Sequence, residues 1–129
     1  MTETGIKSGT ILVIEDEPAH AELLKIYLSE SGRWLVHVAT SIDEFNELVR
    51  SADPDIIVAD INLPDGSSLS LLEENHNKPW IIMTSYADPE TESEIINSGA
   101  SGFFVKSPDT FRNISSIVED YLQKWRTEH

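Results

Sequence analysis

Residues 56–66 read IIVADINLPDG. Four apolar or small residues run directly into Asp60, and Pro64-Asp65-Gly66 then turns the chain. The run predicts a buried strand over 55–60, because a short apolar stretch bounded by turn residues suits a strand covered on both faces. A carboxylate at its end raises a question of energy. A buried unpaired charge costs several kcal/mol. Asp60 either marks where the strand surfaces or is placed there for chemistry.

Outward from this strand, the chain alternates two patterns. TILVI (10–14), WLVHVA (34–39), WIIMT (80–84) and GFFVK (102–106) are further strands. Helices are predicted between them. Pro18 opens the first, with Ala21, Leu23, Leu24, Tyr27 and Leu28 on its apolar face and Ser31-Gly32 at its end. Ser41 with Glu44 forms a capping box for the second, which carries Ile42, Phe45, Leu48 and Val49. A short third runs from Ser67 to about Asn75. Asp88-Pro89 caps a polar fourth, whose only strong apolar pair is Ile95-Ile96. Pro108 or Asp109 opens a last helix, in which Phe111, Ile114, Ile117, Val118, Tyr121, Leu122 and Trp125 keep helical spacing. Five strands alternating with five helices predict an α/β fold. The expected form is a flavodoxin-like, doubly wound five-stranded parallel sheet of order 2-1-3-4-5 with helices on both faces.

Composition narrows the function. The 129 residues suit one domain, with residues 1–9 a flexible N-terminal segment and 10–127 the folded unit. The chain has no cysteine, which excludes disulfides and thiolate metal sites. No apolar run reaches the ~20 residues of a membrane helix, so membrane insertion is not expected. The first residues, MTETGIKSGT, form no signal peptide, and a cytoplasmic location is expected. A net charge of -14 repels phosphate backbones and argues against direct nucleic-acid binding.

Ligands of open parallel sheets bind beyond the carboxyl ends of the strands. There the sequence places Glu15-Asp16, Asp60, Thr84-Ser85 and Lys106. Any one of these is more often an ordinary solvated strand end. Together they are harder to dismiss. Three neighbouring carboxylates repel one another, so one should hold a proton or a cation should sit among them. Their formal charge of -3 is nearly closed by Lys106 and a divalent ion. All-oxygen ligands favour a hard ion, Mg²⁺, with Mn²⁺ able to substitute. His20, His37, His76 and His129 are scattered and read as surface or incidental residues.

ILVIEDEP, DINLPDG, IIMTSY and GASGFFVK, in this order and on these strand ends, resemble the receiver domain of bacterial two-component response regulators. The resemblance covers about residues 8–126, and the 2-1-3-4-5 order is that family's own. It implies that Asp60 accepts a phosphoryl group from a phosphohistidine on a sensor histidine kinase or histidine phosphotransfer protein. It implies that Glu15, Asp16, Asp60 and the backbone carbonyl of Asn62 hold Mg²⁺. Lys106 and Thr84 would contact the phosphoryl group, and Thr84 and Phe103 would form the switch. Asn62, Ser85 and Tyr86 would flank the site, with Asn62 and Tyr86 tuning hydrolysis of the acyl phosphate. Phosphorylation would alter the surface of the fourth helix, fifth strand and fifth helix, read by a downstream effector protein or domain or by a homodimer. Such a protein is no enzyme beyond self-phosphorylation and autodephosphorylation.

The sequence departs from the family in three places. Ser107 stands where a proline usually follows the lysine. Phe103 lacks the hydroxyl often found at the switch position. The stretch from Gly66 to Pro79 is short by about a helical turn. Two rival readings are a receiver-like interaction module that is not phosphorylated and a haloacid dehalogenase-type phosphatase. The second needs an acid two residues after Asp60, where Asn62 stands.

Overall fold

The computed structural model describes residues 9–129. The expected flexible segment, residues 1–9, lies outside the described residues except for Gly9, which opens the first strand opposite Trp34. In chain order the elements are β1 (Gly9–Ile14), α1 (Pro18–Ser29), β2 (Trp34–Ala39), α2 (Ile42–Ala52), β3 (Ile56–Asp60), β4 (Asn62–Leu63), β5 (Gly66–Ser67), α3 (Ser68–Glu74), β6 (Trp80–Thr84), α4 (Pro89–Asn97), β7 (Gly102–Val105), α5 (Pro108–Arg112) and α6 (Ile114–Glu128). The main sheet has five parallel strands in the order β2-β1-β3-β6-β7, which is the expected 2-1-3-4-5 arrangement.

Strand alternation explains the apolar runs. Ile11, Val13, Ile56, Val58, Ile81 and Met83 face α1, α5 and α6. Their neighbours Leu12, Ile14, Ile57, Ala59, Trp80 and Ile82 face α2, α3 and α4. Successive side chains point to opposite faces, so a strand covered on both sides must be apolar throughout. Burying each such side chain contributes about 1.5–3 kcal/mol. The helices change sheet face between β1 and β3, and this switch opens a crevice at the carboxyl ends of those strands. Gly102 begins β7 because the Tyr121 ring lies against it, where a Cβ would collide.

Several local expectations shift. Leu23, placed on the apolar face of α1, is 37% exposed; Leu24 and Leu28 are the buried residues of that helix. The last helix divides at Asn113 into α5 and α6. The turn after Asp60 is flanked by a two-stranded antiparallel ladder, β4-β5, that the sequence does not announce. Ser41 caps α2 through Glu44 N–H at 3.1 Å, but Glu44 Oε1 accepts from Thr40 N–H at 2.6 Å instead of closing the box on Ser41. In α4 only Ile95 is buried, and Ile96 is 62% exposed, so one apolar anchor holds that helix.

Candidate functional site

Four strand ends build the site. Glu15 follows β1, and its N–H donates to Ala39 O at 3.0 Å, which continues the sheet and draws the residue inward. Its side chain is fully buried, while the adjacent Asp16 is exposed. Asp60 ends β3, half-buried, where the strand leaves the core. Carboxylate oxygens of Glu15, Asp16 and Asp60 lie within 4.8 Å of one another. Lys106 follows β7, fixed by its N–H donating to Thr84 O at 2.8 Å. From there its side chain reaches across the end of β6. Nζ donates to Asp60 Oδ2 at 2.6 Å and stands 2.6 Å from Glu15 Oε1.

Burial sets the electrostatics. It pushes the Glu15 carboxyl above its ordinary value, and the Asp60 charge adds to this; Lys106 and the Glu17 N–H oppose it. Burial alone would lower Lys106, but the Asp60 and Glu15 carboxylates outweigh it and hold the ammonium above its ordinary value. Lys106 is therefore cationic, with Asp60 its hydrogen-bonded partner. Glu15 Oε1 touches the ammonium as an ion pair yet receives no hydrogen bond. A buried carboxylate oxygen without a hydrogen bond, in a set of three acids against one lysine, fits a small divalent cation. The donors are all oxygens, as Mg²⁺ or Mn²⁺ requires.

The remaining residues surround this core. Asn62 is exposed, and its N–H donates to Asp60 Oδ1 at 3.2 Å. Thr84 is buried at the end of β6, its hydroxyl donating to Tyr86 O at 2.8 Å. That bond ties the hydroxyl to the loop after β6. Ser85 is exposed and lines a cavity of about 420 Å³ with Lys106, while Tyr86 is 73% exposed. Phe103 lies opposite Ile82 on β7 and packs, half-buried, on the apolar layer shared with α4. Ser107 replaces the expected proline and caps α5: its hydroxyl accepts from Thr110 N–H at 3.1 Å, and its N–H donates to Thr110 Oγ1 at 2.9 Å.

Two residues take roles that the sequence reading did not give them. Asp65 does not join the acid cluster. It accepts from Ile42 N–H at 2.9 Å and Asp43 N–H at 3.3 Å, tying the loop after Asp60 to the start of α2. His20, read as incidental, stands at the site: Nδ1 is 3.4 Å from Lys106 Nζ and 3.8 Å from Glu15 Oε1. Its signal was position, in the first turn of the helix that follows Glu15-Asp16.

Known proteins resemble this chain in sequence and fold. Residues 11–119 match the family described as the response regulator receiver domain. The methanogenesis regulatory protein FilR1 of Methanothrix harundinacea is 30% identical over 124 residues, which cover 90% of this chain and 28% of that protein. The response regulator protein PilR of Pseudomonas aeruginosa is 33% identical over 107 residues, covering 78% of this chain and 23% of that one. The chain thus spans about a quarter of the length of these curated relatives. Among solved structures, a CheY-like response regulator receiver domain protein from Methanospirillum hungatei JF-1 superposes with a TM-score of 0.83 at 26% identity, covering 97% of this chain and 100% of that one. The family match runs from Ile11 in β1 to Glu119 in α6, and the chain belongs to the response regulator receiver domain family.

Proposed function

We propose that this chain is a phosphorylation-dependent switch in a two-component phosphorelay. One observation carries the reading: Asp60, at the end of the central strand, is held by Lys106 beside two further carboxylates with a charge deficit suited to a divalent cation. An Asp60 carboxylate oxygen attacks the phosphorus of a phosphohistidine on a sensor histidine kinase or histidine phosphotransfer protein. The P–N bond breaks, and its electron pair stays on the donor imidazole, which takes up a proton. Lys106 neutralises charge on the phosphoryl oxygens. Glu15, Asp16, Asp60 and the Asn62 carbonyl would hold Mg²⁺, which supplies further charge neutralisation when bound.

The product acts through a hydroxyl already engaged. Thr84 must leave Tyr86 O to hydrogen-bond an acyl phosphate. Phe103 then turns inward, and the α4, β7 and α5–α6 surface shifts between two packings, read by a downstream effector or a second copy. The single anchor of α4, Ile95, supports such mobility. Unchanged amide exchange across Pro89–Asn97 on phosphorylation would exclude this last step. We place the protein in the cytoplasm; no described helix is long and apolar enough to cross a membrane. It is no enzyme beyond gaining and losing its own phosphoryl group.

Incubation with a small phosphodonor and Mg²⁺, read by intact mass, tests the reading. A gain of about 80 Da, one phosphoryl group, that is lost in Asp60→Ala supports it. Multiple turnover of the donor would indicate a phosphatase. No adduct would indicate a binding module that works unphosphorylated.

A further inference from the structure

His20 lies outside every motif that carries the family resemblance, yet it meets the residue on which the site turns. Lys106 has a side chain only 6% exposed. Its ammonium has three N–H donors and no acceptor. Asp60 Oδ2 and Glu15 Oε1 each stand 2.6 Å from Nζ, and the third neighbour is His20 Nδ1 at 3.4 Å. An ammonium has no lone pair to offer, so in this pair Lys106 donates and Nδ1 accepts. The ring proton then sits on Nε2. The other role for Nδ1, donating to Glu15 Oε1, fails on distance, since 3.8 Å exceeds hydrogen-bond reach.

The ring is well supported for such a task. Pro18 starts α1, and His20 falls in its first turn. Phe111 of α5 packs on the ring with centroids 5.3 Å apart at 48°. The placement therefore joins α1, which follows the acid pair, to α5, which follows the lysine.

We infer that His20 is a positioning residue for phosphoryl transfer: Nδ1 takes a Lys106 donor that Asp60 leaves over and holds the ammonium at the edge of Asp60. This rests on the phosphorylation reading above. Without the acceptor, only Glu15 and Asp60 hold the ammonium, and it must be withdrawn from both before it can meet a phosphoryl oxygen.

The test compares the full chain with His20→Leu, which keeps bulk against Phe111 and removes the acceptor, and His20→Asn, which offers an amide oxygen in place of Nδ1. Each is phosphorylated with acetyl phosphate and Mg²⁺ and followed by intact mass, with Mg²⁺ affinity measured by calorimetry. Loss of one hydrogen bond predicts about three- to tenfold slower phosphorylation in His20→Leu. His20→Asn should recover to within about twofold of the parent, with Mg²⁺ affinity level across all three. Long-range ¹H–¹⁵N spectra of the unphosphorylated parent should show the Nε2–H tautomer. A parental rate in His20→Leu, an Asn variant as slow as the Leu variant, or an Nδ1–H tautomer would overturn the role of His20 alone. A parent chain that forms no adduct would overturn the reading of Asp60 as well.

Discussion

Lys106 reaches across the end of β6 to Asp60: Nζ donates to Oδ2 at 2.6 Å from a strand that is not the neighbour of β3. The contact closes the rim over Thr84 and balances one of three clustered carboxylates. Lys106→Met keeps the length of the side chain and removes the charge. Breaking a buried pair by removing one partner costs about 3 kcal/mol. Glu15, already pushed upward by burial, limits the loss by taking a proton more readily. Urea unfolding without divalent ions should show a loss near this size, and Mg²⁺ should restore more stability to the variant than to the parent. A loss below about 1 kcal/mol would mean that the pair is too wet to matter.

Asp65 predicts a pH dependence away from the acid cluster. The Ile42 N–H, helped by the Asp43 N–H and opposed by slight desolvation, holds its carboxyl below the ordinary value. A depressed carboxyl stabilises the folded chain above the unfolded value of about 3.9, and the gain is lost as pH falls through the folded value. Asp65→Asn should therefore unfold at lower urea than the parent at pH 7 and pH 5. The two midpoints should converge below about pH 4. A constant gap down to pH 3 would show that the cap works through shape and not charge.

Ser107 tests how the chain replaces the family's proline. Its hydroxyl and N–H both bond to Thr110, fixing the start of α5 directly behind Lys106. Ser107→Ala should cost about 1 kcal/mol in urea unfolding, the usual loss of a helix cap. A neutral substitution would place the restraint on Lys106 in its own backbone bond to Thr84 O.

The sheet and the residues on its rim were legible because a parallel strand covered on both faces is apolar until it ends. Ile56 to Ala59 and Asp60 mark that end without help from tertiary context. Helix azimuth was less legible. The apolar positions of α1 suggest a broad stripe, but only Leu24 and Leu28 are buried, and the polar His20 turns toward the site. Contacts set by loop closure left no local trace: Asp65 caps a helix that begins 23 residues earlier in the chain. The Glu44 side chain, expected to close on Ser41, settles on the Thr40 N–H and hydroxyl, while Asp65 takes the Ile42 and Asp43 N–H groups of that helix.

The central claim is that Asp60 carries the phosphoryl group. Borohydride reduction of the chain after treatment with a small phosphodonor and Mg²⁺ converts an acyl phosphate to an alcohol, and peptide mass spectrometry locates it. The account predicts homoserine in place of Asp60, absent when Mg²⁺ is withheld. Reduction at Asp16 or Glu15, a phosphoryl group on Ser85 or His20, or no modified peptide would contradict it.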